Sequence, residues 1–300
     1  MKIATTTRDF LQYTTDALES MKYIKQAGFK YVDYAFDVDY DYKKGIFGED
    51  DFYLDKVKNT VKELELCLVQ AHAPYYSFIF DNNISQLILD TIKCVKACAE
   101  FNIPVIVVHT GYQRNLSKEE TFQKNKEFFV PILEAAEKCG VKVLAENFNK
   151  MEYDDIYWID NATDLKEFIE FVNHPNLYAV WDAGHANLQE MSQCEELKIL
   201  KDYVLALHIH DNNGDADRHM VPFTGTMSVD SLMQGLVEIG YKGYFTFETE
   251  NIFRNYNQNR RICTDESRLL KVPIDLRIKA EKMLYEIGKT ILQAYDCFEK

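Results

Sequence analysis

The sequence predicts an α/β protein of the (β/α)8, or TIM-barrel, class, in a single domain that ends in a long helix. Eight short runs rich in β-branched and aromatic residues alternate with stretches of helical periodicity. Five of these runs end at positions separated by 36, 37, 37 and 36 residues, namely Phe36, His72, His109, Glu146 and Asp182. The length of 300 residues suits one such barrel with some elaboration.

The predicted strands follow from apolar runs such as VIVV, which are typical of a parallel sheet covered by helices. Eight strand–helix units favour a closed barrel over an open sheet. No GxGxxG follows any strand, so the dinucleotide-binding open sheet lacks its usual motif. The predicted strands cover 2–6, 31–36, 68–72, 105–109, 142–146, 178–182, 204–208 and 244–248.

Helices are expected where apolar residues recur at helical spacing, as over 15–28, with Gly28 as its stop, and over 84–101. We expect Asp164 to cap a helix over 165–172 and Pro273 to open a final helix that runs toward residue 294. No linker rich in Pro, Gly or Ser interrupts the pattern, so residues 1–300 are predicted to form one domain.

The composition and charge of the chain limit the class of protein and the partners that can be expected. Apolar residues make up 47% and charged residues 27% of the chain, which predicts an ordinary folded protein. The net charge of −14 does not favour nucleic acid as a partner. Seven scattered cysteines without a CxxC motif indicate a reduced protein. The N-terminus has no apolar segment and no run approaches the ~20 residues of a membrane span. We therefore expect a cytoplasmic protein without a membrane partner.

Metal-binding residue types end most of the predicted strands. In a barrel of this class the carboxyl ends of the strands form one mouth, where active sites lie. Carboxylates and imidazoles without cysteine suit Mn²⁺, Co²⁺, Zn²⁺ or Mg²⁺, and several buried carboxylates need a cation to compensate them. The sequence thus predicts a divalent-metal site. Its candidates are the strand-end residues His72, His109, Glu146, Asp182, His208 and Glu248, and the loop residues His185, Asp217 and His219.

Two further residues near the mouth are weaker candidates for substrate contact. His210 lies two positions beyond His208, on the same side of the strand. Arg218 precedes His219 in a loop and could contact an anion. His174 precedes its strand and is expected at the opposite end of the barrel.

The ordered motifs AHAPY, VVHTG, LAENF, WDAGHAN, LHIHD, DRH and FETE, over roughly residues 68–250, resemble the xylose isomerase-like TIM-barrel superfamily. Its sugar and sugar-phosphate isomerase/epimerase branch implies one divalent ion held by four of the residues above. It also implies that two of them form a glutamate acid/base pair, that His185 contacts substrate oxygens, and that the partner is a small carbohydrate. Relatives often form dimers or tetramers, which leaves a homo-oligomer open. The implied ligands are Glu146, Asp182, His208 and Glu248, and the implied acid/base pair is Glu146 and Glu248.

Endonuclease IV, in the same superfamily, implies a second hypothesis, an abasic-site nuclease or phosphoesterase. All nine of its ligand types, which there hold three zinc ions, have counterparts here. The predicted mouth loops 37–52 and 151–160 are acidic, however, and the only dense basic stretch is 253–261, which we interpret as a substrate lid or small phosphate clamp. A third hypothesis is a non-catalytic sugar-binding or partner subunit. The nine counterparts are His72, His109, Glu146, Asp182, His185, His208, Asp217, His219 and Glu248, and the arginines of the basic stretch are Arg254, Arg260 and Arg261.

The sequence departs from the superfamily pattern at two places. His210 stands where many relatives carry lysine, and the loop after DRH keeps only Gly225 of a Gly-x-Gly. Both departures leave the identity of the substrate open. Neither changes the predicted metal ligands.

Overall fold

The computed structural model describes residues 1–14, 16–41, 45–46, 51–74, 84–149, 158–189, 191–253 and 272–299. Within these ranges the strands are β1 (Lys2–Thr6), β2 (Tyr31–Ala35), β3 (Tyr40–Asp41), β4 (Gly45–Ile46), β5 (Cys67–His72), β6 (Val105–Val108), β7 (Lys142–Glu146), β8 (Leu177–Asp182), β9 (Val204–His208) and β10 (Tyr244–Phe247). The helices are α1 (Ala17–Ala27), α2 (Asp51–Glu63), α3 (Ile84–Phe101), α4 (Lys118–Cys139), α5 (Ala162–Val172), α6 (Ala183–Leu188), α7 (Gln193–Leu200), α8 (Val229–Glu238) and α9 (Ile274–Ala294).

Eight parallel strands form one sheet in the order β10-β1-β2-β5-β6-β7-β8-β9. The two outer strands approach each other through a parallel bridge between Ile209 and Phe247, which nearly closes the barrel. The backbone N–H of Ile209 donates to Thr246 at 2.8 Å, and that of Glu248 donates to Ile209 at 3.1 Å. The predicted (β/α)8 barrel with a C-terminal helix is confirmed, and its eight strands match the eight predicted runs to within a residue at each end.

The helix ends follow local sequence signals. Asp16 caps α1 by accepting from the backbone of Glu19, and Gly28 ends it with φ +98°, a conformation that glycine adopts without strain. The final helix begins directly after Pro273, as predicted. The prediction for Asp164 was wrong.

Asn161 is the residue that caps α5. Its side chain accepts from the backbone N–H of Asp164 at 2.9 Å. The helix therefore begins at Ala162, and Asp164 lies in its first turn, where a carboxylate faces the positive end of the helix. Asparagine and aspartate are about equally good caps, so residue type could not decide between them.

The interior of the barrel is divided between apolar and polar side chains. On one side a small apolar cluster occupies alternate strand positions: Val105, Val107, Leu144, Val180 and Ala206. Across the barrel, buried polar residues of β2, β5 and β10 take the equivalent place, namely Asp33, Gln70 and Thr246.

The C-terminal helix is joined to the first strand by a buried ionic cluster. Arg277 donates to Glu281 at 2.7 Å and to the backbone oxygen of Asp9 at 3.1 Å, while the Thr5 hydroxyl lies 2.7 Å from both Asp9 Oδ2 and Glu281 Oε1. In the described part of the chain, none of the helices combines the length and the hydropathy required to cross a bilayer.

Candidate metal centre

The barrel brings the six strand-end candidates into one mouth. His72, Glu146, Asp182 and His208 are the last residues of β5, β7, β8 and β9. His109 and Glu248 come directly after β6 and β10. All but His109 are at most 6% exposed, and the side chain of His109 is 9% exposed. Parallel strands end on the same side of a barrel, so the sequence spacing is sufficient to collect these groups.

Glu146 lies at the centre of this group. Its Oε1 is 2.8 Å from His208 Nδ1 and its Oε2 is 2.8 Å from His109 Nε2. Two more imidazoles stand further out, with His185 Nδ1 at 3.7 Å and His72 Nε2 at 3.8 Å. One buried carboxylate thus faces four imidazole rings.

The imidazole of His208 separates two carboxylate environments. Its Nδ1 faces Glu146 and, at 4.0 Å, Asp182 Oδ2. Its Nε2 lies 3.6 Å from Glu248 Oε1 and 3.6 Å from Asp33 Oδ2. The four residues expected to bind one ion are therefore neighbours, with Glu146 and Asp182 near Nδ1 of His208 and Glu248 near Nε2.

A second group of polar residues adjoins the first. Asp217 Oδ2 lies 3.2 Å from His185 Nε2 and 3.2 Å from His219 Nε2. His210 Nε2 lies 3.1 Å from Asp182 Oδ1 and 3.7 Å from Asp217 Oδ1. Asp182 and Asp217 thus link the loop histidines to the strand-end residues.

His210 is fully buried, and its role as a substrate contact stays a prediction. Its ring stacks on that of His219 with centroids 4.0 Å apart. The other face packs on Gly184, where a Cβ would lie only 1.9 Å from His210 Cε1. Only glycine at this position leaves room for the ring, so the WDAGHAN turn and His210 are fitted to each other.

The turn after β8 also orients Asp182. Its Oδ1 accepts from the backbone N–H of His185 at 2.6 Å, which makes Asp182 the N-cap of α6. Asn147, which sequence reasoning missed, donates to the Asp182 carbonyl at 2.9 Å and accepts from its N–H at 2.8 Å. The Asn147 carbonyl lies 3.0 Å from His185 Nδ1. These bonds fix both side chains relative to Glu146.

The pKa values in the centre are set by burial and by close opposite charges. Burial alone would raise the pKa of Glu146, but His208 and His109 lower it well below the usual range. Burial outweighs the nearby histidines at Glu248 and raises its pKa. Burial lowers the pKa of His109 to about 4 against the opposing effect of Glu146. At His185, Asp182 and Asp217 overcome burial and raise the pKa to about 10.

The donor set fits a divalent cation. His208 Nε2 and Glu248 Oε1 are buried and have no hydrogen-bond partner among the described residues. Oxygen and imidazole nitrogen donors without thiolate are the ligands of Mn²⁺, Co²⁺, Zn²⁺ and Mg²⁺. Side chains whose ligand atoms lie within 4.8 Å of one another form four groups, three of which share Glu146 or His208: Glu146, Asp182 and His208; Asp33, His208 and Glu248; His72, His109 and Glu146; and, separately, His185, His210, Asp217 and His219.

The other residues singled out in the sequence are Arg218, His174 and those of the basic and acidic stretches. Arg218 donates to both carboxylate oxygens of the exposed Asp215, at 2.8 and 2.7 Å. His174 precedes β8, at the end of the barrel away from the mouth, as predicted. The basic positions Arg254, Arg260 and Arg261, and most of the acidic stretches 37–52 and 151–160, lie outside the residues whose side chains are described.

Sequence reasoning also missed Asp33 and Glu250. Asp33 interrupts the apolar run of β2, which is a signal that strand alternation could have used. Glu250 lies two residues beyond Glu248, 3.5 Å from His219 Nδ1 and 3.5 Å from Arg8 Nη2. Both carboxylates border the centre.

Comparison with known proteins agrees with this geometry. The family model described as a xylose isomerase-like TIM barrel matches residues 21–266. The chain belongs to this family. The solved structure of a D-tagatose 3-epimerase-like protein superposes with a TM-score of 0.75 at 21% identity, over 99% of this chain and 98% of that one.

Curated relatives of this xylose isomerase-like chain include sugar epimerases. Fructoselysine 3-epimerase of Shigella flexneri is 25% identical over 61% of the chain, and the match covers 66% of that protein, just under two thirds of its length. The 3-dehydro-D-guloside 4-epimerase of Escherichia coli K12 is 25% identical over 83% of the chain and 92% of the relative. The predicted family membership is confirmed.

Proposed function

We propose that the chain is a divalent-metal-dependent sugar or sugar-phosphate isomerase/epimerase that moves a proton on the carbon next to a carbonyl. The observation that carries the proposal is the pair of buried glutamates, Glu146 and Glu248, each near a different ring nitrogen of His208. The names of the relatives support the substrate class. In 3-dehydro-D-guloside 4-epimerase the named keto group is at carbon 3, and the epimerised carbon 4 is its neighbour.

The residues proposed to hold the cation are Glu146, Asp182, His208 and Glu248. A divalent cation held there would supply electrostatic stabilisation of the negative charge that proton removal next to a carbonyl creates. Close contacts with His208 and His109 lower the pKa of Glu146, which favours its ionised carboxylate.

The two glutamates are proposed as the acid/base pair. Their environments push their pKa values in opposite directions, as expected for a base and an acid that work together. Glu146 then takes the proton from one face of the substrate carbon and Glu248 returns one to the other face, which is epimerisation. Return of the proton to the same face of that carbon gives only exchange with solvent. Return of the proton at the neighbouring carbon gives isomerisation.

The loop residues are proposed to orient the substrate. His185 is held by Asn147 and Asp217 with its ring beside Phe148, at a centroid distance of 4.6 Å. Its Nε2–H can donate to a substrate oxygen only if that oxygen takes the place of Asp217 as acceptor. A small-molecule carbohydrate is therefore the proposed partner. We also infer that residues 1–300 form one domain, because the eight barrel strands, β1, β2 and β5 to β10, belong to one sheet and α9 is bonded to β1.

Deuterium exchange tests the proposal. Protein loaded with Mn²⁺ or Co²⁺ is incubated in D2O with ketoses, their phosphates and keto-glycosides, and products are followed by NMR. We expect deuterium at the carbon next to the carbonyl, with loss of exchange in Glu248→Gln. The control is Glu238→Gln, which changes a surface glutamate paired with Lys198. Absence of exchange across the panel by metal-loaded protein would count against the proposal.

A second candidate is a metal-dependent phosphoesterase, such as an abasic-site nuclease. It is favoured by one observation: the four ligand groups together contain many more residues than the four that one ion requires. The test is hydrolysis of bis(p-nitrophenyl) phosphate and incision of an abasic duplex by zinc-loaded protein at low salt. Three equivalents of bound zinc with either activity would favour this candidate over the epimerase.

A further inference from the structure

A chain of three buried polar side chains lies beneath the metal centre. Thr246 donates to Gln70 Oε1 at 3.1 Å, and Gln70 Nε2 donates to Asp33 Oδ2 at 3.0 Å. Each of the three residues is at most 1% exposed. The chain begins on β10, crosses the barrel through β5 and ends at a carboxylate on β2.

This buried chain ends beside a proposed metal ligand. Asp33 Oδ2 lies 3.6 Å from His208 Nε2, and neither His208 Nε2 nor Asp33 Oδ1 has a hydrogen-bond partner among the described residues. A movement of about 0.5 Å would bring the pair to ordinary hydrogen-bond length. A buried carboxylate needs such a partner, because leaving it without a donor or a positive charge is costly.

We propose that Asp33 is a positioning residue that accepts the Nε2–H of His208. With the proton held at Nε2, the lone pair at Nδ1 is directed to the side where Glu146 and Asp182 lie. Glu248 lies at the same 3.6 Å from Nε2. Asp33 is favoured as the acceptor because Gln70 and Thr246 hold its oxygen in place, whereas Glu248 Oε1 has no partner in the described structure.

The inference rests on the proposed function, because it concerns the same metal site. It specifies which ring nitrogen of His208 faces the cation. Histidines that bind metals commonly donate their second ring N–H to a carboxylate, which fixes the tautomer and the ring. This role would be performed by Asp33 from the interior of the barrel, with Gln70 and Thr246 holding it in place. His208 would then bind the cation through Nδ1 alone.

Zinc provides a diamagnetic probe for the test on the intact protein. Long-range ¹H–¹⁵N spectra of zinc-loaded protein labelled in histidine, with His208 assigned by a His208→Gln variant, identify the nitrogen that binds metal. We expect zinc at Nδ1 and a strongly downfield, slowly exchanging Nε2–H. Zinc at Nε2 would overturn the inference and indicate a site formed by Asp33, His208 and Glu248.

Substitution provides a second measurement. Asp33→Asn removes the charge at nearly constant shape and is expected to weaken zinc binding at least about tenfold and to move the Nε2–H signal upfield. The matched control is Asp90→Asn, an equally buried aspartate on α3 that contacts Gln86 and Lys93. Wild-type affinity and an unchanged Nε2–H signal in Asp33→Asn would overturn the inference. If that variant does not fold, the spectrum of the wild-type protein decides alone.

The outcomes are separable from those of the proposed function. Zinc at Nδ1 with a shifted Nε2–H signal in Asp33→Asn supports the role of Asp33 even if no sugar is converted. Sugar conversion with zinc at Nε2 supports the function and rejects the role of Asp33.

Discussion

Replacing Glu146 with glutamine removes one negative charge from the centre of the site and leaves the side-chain shape nearly unchanged. In the wild-type protein each carboxylate oxygen is 2.8 Å from an imidazole nitrogen, one of His109 and one of His208. The amide of glutamine keeps one acceptor oxygen and turns the other oxygen into an NH2 donor. One imidazole N–H must then lose its partner.

The expected magnitude follows from these contacts. A charge-assisted hydrogen bond contributes about 1.5–3 kcal/mol, and breaking a buried charge pair by removing one partner costs about 3–5 kcal/mol. We expect the free energy of unfolding of the metal-free protein to fall by about 3–5 kcal/mol. At roughly 2 °C per kcal/mol for a chain of this size, the melting temperature should fall by about 6 °C or more.

Metal binding should weaken as well, because a neutral amide oxygen replaces a charged ligand. We expect a loss in Mn²⁺ affinity of at least about a hundredfold, which corresponds to about 2.8 kcal/mol. Denaturant titration measures the first effect and calorimetric titration with Mn²⁺ measures the second.

The matched control is Glu196→Gln. Glu196 is 4% exposed and accepts from the backbone N–H of Ala162 at 2.7 Å, a bond that the glutamine oxygen can keep. We expect a change of less than about 1 kcal/mol in unfolding and none in metal affinity. A Glu146→Gln protein as stable as this control, with unaltered Mn²⁺ affinity, would refute the account of the centre.

Three further predictions concern packing, metal removal and pH. Gly184→Ala should cost about 1–3 kcal/mol in unfolding and weaken metal binding, because the new Cβ displaces His210 from Asp182; an unchanged denaturation midpoint would contradict this. Chelation of the cation should abolish sugar conversion and lower the melting temperature. If the cation had been present at a hundred times its Kd, the loss of stability should be about 2.7 kcal/mol. Equal melting curves with and without chelator would count against a bound ion. Burial and the nearby Glu281 carboxylate raise the pKa of Asp9 well above 3.8, so the wild-type protein should lose stability relative to Asp9→Asn as the pH rises above about 3.8. Denaturant titrations of both proteins between pH 3 and pH 7 measure this difference, and a constant difference would reject the assignment.

The strand positions could be predicted from the sequence because each strand of the barrel is a short run of β-branched and aromatic residues, and six of the eight predicted runs end in a metal-binding residue type. Closure of the barrel then brings His72, His109, Glu146, Asp182 and His208 together without further information. The period of 36 or 37 residues and the strand-end residue types were therefore sufficient to predict most of the residues at the barrel mouth.

The remaining features depend on contacts that the sequence does not display. Asp33 belongs to the centre only because β2, three strands from β9 around the barrel, places this side chain beside His208, and Asn147 matters only through its bonds to the end of β8. The short hairpin of β3 and β4 has two residues in each strand, too few to produce an alternation pattern. The two sides of the His208 ring likewise follow from side-chain rotation, which residue types do not specify.

Metal content per chain tests the central claim most directly. The protein is purified without chelator or added metal and analysed by inductively coupled plasma mass spectrometry. The account predicts one equivalent of a divalent cation per wild-type chain and a large loss of that cation in Glu146→Gln. Wild-type protein that holds no divalent cation, and that takes none up when titrated with Mn²⁺, Co²⁺ or Zn²⁺, would contradict it.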